Sequence, residues 1–399
     1  MKKLAIILSL MFLFGTQSMR ASGIRFTENK TFKQLLALAK AQHKLIFLDG
    51  YASWCGPCKY LQQNIFTQTK VGTYFNANFI NAAMDMEKGE GPVLSEKFGI
   101  TAYPTLFFIN AEGSVVHKEV GAIDADELIT LAHDAKDPKK QYYTIKNNAA
   151  LGKLTPSDFL AWVKTAEGLK DPDVGGIVEK YLSLPGHNLL QKDMLQILCY
   201  HSGTLTDGQL KTLQQNRSII MSLMAIDSAN FDDMFIGKVV DKASEEAYRD
   251  STLNFSQFKT IASVYLPASQ VALQTVMVKV RYYDFLQQYT KALDALSLCF
   301  DQTNYQIKIA DLTRLVRNNA QQIADNKRGE EFIDKLSTFN ILPEDEHRGY
   351  FLDIAQMLIW HDMGNNTKAN AAAVKIENNV NTPEDVKDAI KKYSVEKLN

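Results

Sequence analysis

The stretch Leu45-Ile46-Phe47-Leu48-Asp49-Gly50-Tyr51-Ala52-Ser53-Trp54-Cys55-Gly56-Pro57-Cys58-Lys59 decides how the first part of the chain is read. Its first five residues are a short apolar run with no room for a helix before Gly50, and they predict a buried strand. Pro57 suits a first helical turn, where a missing N–H costs nothing, so a helix opens at the two cysteines. Cys55 then sits where helix N–H groups are unpaired and the helix dipole is positive, which favours its thiolate over its thiol. Free cysteine titrates at about 8.5, and thiols in such places fall to about 3.5–7.5. Two intervening residues bring the sulfurs of Cys55 and Cys58 close enough to form a disulfide.

This layout supports thiol–disulfide exchange. Cys55 attacks a partner disulfide, a mixed disulfide forms, and Cys58 attacks Cys55 to release the reduced partner. Cys58 starts out less ionised, so a base helps it; Asp49, six residues before Cys55 on the incoming strand, is the candidate. Two other readings compete. A C-x-x-C pair can be half of a zinc site, but zinc wants four ligands and no second C-x-x-C or H-x₃₋₅-H lies nearby in sequence. It can also be a stable structural disulfide, although a Gly-Pro spacer after Trp at a strand-to-helix junction is far more specific than that.

Outward from this stretch, the spacing of Phe32, Leu35, Leu36 and Ala39 predicts a helix over 31–40. The helix opened at Pro57 is expected to run to about Thr69. A strand is expected over 78–84, then a polar loop at 87–92 and a short helix ending at Phe98. Two strands, 105–109 and 114–120, flank Asn110-Ala111-Glu112-Gly113, a hairpin turn sequence. Asp124 is placed as the N-cap of a last helix to Ala135. Strands that alternate with helices and close with a hairpin imply a mixed sheet covered on both faces.

Asp49 through Lys59, together with Phe98-Gly99-Ile100-Thr101-Ala102-Tyr103-Pro104-Thr105 and Gly121, resembles the thioredoxin family. Residues 31–135 are most similar to the periplasmic thioredoxin domain of membrane electron-transfer disulfide-interchange proteins, Phe66-Thr67 and Val71 included. The resemblance implies an α/β thioredoxin fold over 22–138. It implies that Pro104 is a cis-proline facing the cysteines, and that Tyr103 before it offers backbone hydrogen bonds to an extended client. It further implies that Trp54 shields the cysteines and that Gly121 leaves room for the groove. Trp54, Gly56, Pro57, Tyr103, Pro104, Thr105 and Gly121 thus become the expected client-binding set, with Cys55, Cys58 and Asp49 as the catalytic set. In one respect the chain departs from cytoplasmic thioredoxins: their buried lysine near the acid is replaced by Asn81, leaving Asp49 without a cationic neighbour. The Gly-Pro spacer resembles the reducing end of the family, near about −270 mV rather than about −120 mV.

The charged turn Lys136-Asp137-Pro138-Lys139-Lys140 marks the expected boundary to a mostly α-helical domain over 141–399. Stripes at Phe159, Trp162, Val163 and Ala166, at Phe255, Phe258, Ile261, Ala262 and Tyr265, and at Phe351, Ile354, Ala355, Leu358 and Ile359 have helical spacing. Thr155-Pro156 and Thr382-Pro383 read as helix starts. Among 399 residues, 44 are basic and 45 acidic, and no basic run stands out, which argues against a nucleic-acid partner. Met1-Lys2-Lys3, an apolar run to Phe14 and Ala21-Ser22 have the layout of a secretory signal over 1–21. The chain is therefore expected to work outside the cytoplasm, in the periplasm or cell envelope, on protein thiols and disulfides. It would be recharged there by a membrane or exported electron donor. No cofactor beyond a redox-active Cys55–Cys58 disulfide and no metal is expected. Cys199 and Cys299 stand alone in apolar surroundings and read as buried thiols, or as a bridge only if their Cα atoms come within about 7 Å. A protein-binding or chaperone-like module, with the helical domain setting specificity, is the rival reading.

Overall fold

The computed structural model describes residues 23–394 apart from 306, so the leader expected at 1–21 lies outside the described residues. Four strands form the sheet: β1 (Leu45–Tyr51), β2 (Phe79–Asp85), β3 (Thr105–Ile109) and β4 (Val115–Val120), in the order β2-β1-β3-β4. β2 runs parallel to β1, while β3 and β4 are antiparallel, the mixed arrangement expected from a helix crossover followed by a hairpin. Asp49 pairs with Ala83 on one side and with Leu106 on the other, so it lies in the middle of the sheet.

Alternation along β1 divides the core into two layers. Phe47 points to the face covered by α2 (Gly56–Tyr60), α3 (Thr69–Asn78) and α5 (Ala125–Lys136), where it packs with Leu61, Phe66, Phe75, Phe108 and Leu128. Ile46 and Leu48 point to the other face, under α1 (Phe32–Gln42) and α4 (Gly91–Phe98), with Leu35, Ala39, Leu94 and Phe107. Phe47 and Phe75 meet edge to face with centroids 4.7 Å apart. α1 and α5 begin with capping boxes, Thr31 with Gln34 and Asp124 with Glu127, as the sequence at Asp124 predicts. The helix expected from Pro57 to about Thr69 ends at Ile65, and a further helix follows it over residues for which none was expected. α2 widens into a π-helical turn, Leu61–Ile65, and the chain re-enters helix as α3 after an extended Gln68, which lets Val71 and Phe75 reach the core.

Both sheet edges are covered. Beside β2, the N–H of Thr27 bonds to the carbonyl of Asn81 at 2.7 Å. Along β4 lies α6 (Tyr142–Ala150), whose Tyr142 N–H donates to His117 Nδ1 at 2.8 Å. Burial pulls His117 down to about 4, which keeps that nitrogen a neutral acceptor. Next to it, Lys118 is buried 5.9 Å from the Tyr142 ring. Asp171 accepts from Tyr142 Oη at 2.5 Å and from Lys146 Nζ at 2.8 Å. Burial alone would raise the Asp171 carboxyl, but the bonds from Lys146 and Tyr142 together hold it below the ordinary value.

The described residues divide into two compact units, one through Ser202 and one from Gly203. The first takes in α6 and the helices α7 (Pro156–Gly168), α8 (Val174–Leu182) and α9 (Lys192–Gln196), well past the charged turn at 136–140. In α7 the expected stripe Phe159, Trp162, Val163 and Ala166 is fully buried, and Thr155 caps the helix through Asp158 N–H. The second unit is helical apart from a two-residue hairpin, Tyr248–Arg249 with Thr252–Leu253. Leu273, Leu293, Leu296, Leu312, Phe332, Ala355 and Ile359 share one of its cores. Thr382 does not cap the last helix as expected: it is buried and its hydroxyl has no hydrogen-bond partner. The chain is thus an α/β sheet domain with flanking helices followed by a mostly helical region.

Candidate active site

Cys55 is the extended N-cap residue of α2, and its Sγ accepts the N–H of Cys58 at 3.1 Å. The two cysteines are joined in a disulfide with Cα atoms 5.3 Å apart. Pro57 occupies the first helical turn beyond Gly56. Cys55 is 3% exposed and Cys58 1%, packed with Ala52 and against Tyr51 and Tyr103. In the dithiol form the same N–H, at the positive end of the helix, faces a sulfur that gains from being ionised.

The opposite wall comes from the loop ahead of β3. The Tyr103–Pro104 bond is cis, and Gly121 N–H donates to the Pro104 carbonyl at 2.8 Å. Gly121 has φ +102°, a conformation that a side chain resists, and a Cβ there would enter open space. Thr105 is buried and its hydroxyl donates to the Ala102 carbonyl at 2.8 Å. Trp54 is 67% exposed, with Tyr103 edge-on to it at 6.1 Å.

Beneath this surface lies Asp49, fully buried, with neither carboxyl oxygen hydrogen-bonded. Burial lifts its pKa to about 7, and the nearby Gln62 amide opposes the rise only in part. Asn81 shares this face of β2 and turns its amide to Asn76 Oδ1 at 3.2 Å. A cleft of about 590 Å³, lined by Tyr51, Gln62, Phe66 and Ala83 among others, reaches the surroundings of the acid. A buried carboxyl poised near neutrality can hold or take up one proton there.

Sequence reasoning missed two residues. Gln62 lies four positions after Cys58, the interval that returns a helical side chain to the same face, so a signal was present. Glu87, which accepts the Trp54 indole N–H, sits in an irregular turn and gave no periodic signal. Cys199 and Cys299 are both buried, and burial pushes the Cys299 thiol up to about 12, away from reactivity at neutral pH. Among the described residues no group of His, Cys, Asp and Glu is arranged to hold a metal ion, and no helix is long and apolar enough to cross a membrane. A cavity of about 970 Å³ belongs to the second unit, among Phe231, Asp232, Phe235, Met277 and Arg281.

Residues 32–136 match the family model for a thioredoxin-like domain. The amino-terminal part of this chain is a thioredoxin-like domain. Over 119 residues the chain is 30% identical to the thiol:disulfide interchange protein DsbD of Yersinia pestis, covering 29% of this chain and 20% of that protein. The DsbD of Haemophilus influenzae is 28% identical over 116 residues, again 20% of its length. The chain thus spans about a fifth of the length of these curated relatives. A solution structure from Bacteroides thetaiotaomicron, described as a candidate disulphide-isomerase, is 46% identical. It covers 29% of this chain and 95% of its own, with a TM-score of 0.27. The matched residues 32–136 take in the four-stranded sheet, the Cys55–Cys58 disulfide and the Tyr103–Pro104 loop.

Proposed function

We propose that the chain is an exported thiol:disulfide oxidoreductase that reduces protein disulfides in the cell envelope through Cys55 and Cys58. The observation that carries this reading is the Cys58 N–H bonded to Cys55 Sγ at 3.1 Å at the start of α2. The leader-like layout of residues 1–21 supports export, and the Gly-Pro spacer supports the reducing direction.

In the dithiol form the Cys55 thiolate attacks one sulfur of a client disulfide. The client S–S bond breaks, a Cys55–client disulfide forms, and the departing client sulfur takes a proton. Cys58 then loses its proton to Asp49, attacks Cys55 Sγ and expels the second client sulfur as a thiol. Two electrons have passed to the client, and the chain holds the Cys55–Cys58 disulfide. A membrane or exported dithiol donor reverses this and restores the enzyme. The cis-proline loop and Trp54 hold the client segment over Cys55 meanwhile.

The test is Cys58→Ser expressed in the native compartment, followed by recovery of whatever remains disulfide-linked to Cys55. One or a few defined envelope proteins support the reductase reading. Capture of unfolded chains alone favours the chaperone-like alternative, and a full-length wild-type chain that cannot reduce insulin with dithiothreitol sinks both redox readings.

A further inference from the structure

The turn after β2 is not used by the exchange chemistry, yet it reaches the active-site rim. Both carboxylate oxygens of Glu87 accept the indole N–H of Trp54, at 2.9 and 3.1 Å. The turn is held from several sides. Glu87 N–H bonds to Asp85 Oδ1 at 3.1 Å, and Met86 N–H bonds to the Tyr51 carbonyl at 2.8 Å. Its other charges are engaged elsewhere. Lys88 Nζ donates to Asp85 at 2.8 Å and to Ser53 Oγ at 3.3 Å, while Glu90 accepts the N–H of Phe32 at 2.8 Å. Glu87 is thus hydrogen-bonded by a neutral donor, and its charge is tempered but not paired by the neighbouring Lys88, whose ammonium is bound to Asp85. Trp54 is exposed and lies edge-on to Tyr103, which packs against Cys55 and Cys58, so the carboxylate is anchored at the rim of the dithiol site.

We propose that Glu87 is a specificity-determining residue. It anchors Trp54 as a wall of the client groove and sets a negative potential beside Cys55, so that disulfides flanked by lysine or arginine react faster than those flanked by aspartate or glutamate. This rests on the oxidoreductase reading above. Reversing a client charge about 8 Å from a surface carboxylate changes the encounter rate about fivefold at low salt and little at about 0.5 M salt. Lys59, beside Cys58, adds a cation that is common to every variant, so a change at position 87 isolates the carboxylate.

The experiment uses the reduced full-length chain and two disulfide-linked peptides that differ only in a flanking Lys or Glu. The wild type is expected to reduce the Lys peptide about fivefold faster at low salt, with the preference falling below about twofold at about 0.5 M salt. Glu87→Gln keeps an oxygen for the indole N–H, so it brings the two rates within about 1.5-fold and leaves tryptophan emission unchanged. Glu87→Ala equalises the rates and also shifts the emission, because the indole loses its anchor. Equal wild-type rates, or a preference that survives Glu87→Gln, overturns the proposal. A wild-type chain that reduces neither peptide overturns the oxidoreductase reading and the selectivity with it.

Discussion

Asp49→Asn tests the buried acid through stability as well as rate. In the folded chain burial raises this carboxyl to about 7, and the Gln62 amide offsets only part of the cost of its charge. Below about pH 4 the folded and unfolded chains both hold the proton. Between about 4 and 7 the unfolded chain releases it and the folded chain retains it, so stability falls as pH rises, and it levels off above about 7. Three decades at 1.36 kcal/mol each amount to about 4 kcal/mol at pH 8. Asparagine keeps the volume and removes the titration, so the variant should match the wild type near pH 4 and exceed it by about 4 kcal/mol at pH 8. Urea unfolding of the oxidised protein at a series of pH values measures this. Trp54 and Trp162 report on the first unit and Trp360 on the second. Single-turnover release of client from the mixed disulfide should meanwhile slow, and its rate should lose the wild-type inflection near pH 7. A stability difference that is the same at pH 5 and pH 8 would show that Asp49 does not titrate near neutrality, and its role as proton acceptor for Cys58 would go with it.

Other expectations follow from the same geometry. Asp171→Asn removes the buried anion that faces Lys118 and leaves Lys146 only its second partner, Asp173, and should cost about 2 kcal/mol in urea unfolding at neutral pH. Because the Asp171 carboxyl is held below its ordinary value, that difference should shrink only as pH falls through the acid range. Gly121→Ala, at φ +102°, should destabilise the first unit by about 1 kcal/mol. Gly56→Ala, where a Cβ meets nothing and φ is not positive, should stay within about 0.5 kcal/mol in the same measurement. Ending the chain after Pro138 uncovers β4 and Lys118 and should give a fragment that melts lower and associates at micromolar concentration, visible by light scattering.

Much of the thioredoxin-like domain could be read from local signals. β1 is short and apolar, although it runs through Gly50 to Tyr51, and the Asp124 cap has its Glu127 partner three residues on. The cysteine pair was legible because spacer, strand and helix start all point to one chemistry. The break between α2 and α3 was not. Phe66, Thr67 and Gln68 carry no glycine or proline to mark it, and the interruption is an extended Gln68 just past a π-helical turn. Gln62 and Glu87 escaped for a related reason: what each does depends on residues far away in sequence, on a buried strand and on an exposed indole. The division at Ser202 was equally hidden, since α6 is tied to β4 by the Tyr142 N–H on His117 and to the segment before α8 by Lys146 on Asp171, bonds that leave no trace in composition.

The covers on β2 and β4 reach beyond packing. A sheet with an open side invites strangers to extend it, and a chain that exchanges disulfides with part-folded clients, as proposed above, would meet such strangers constantly. Here the segment ahead of α1 guards one margin and α6 the other. Under that proposal a client would be left the loop carrying Pro104, where it could be held for one exchange and let go, instead of being woven into the scaffold as a permanent fifth strand.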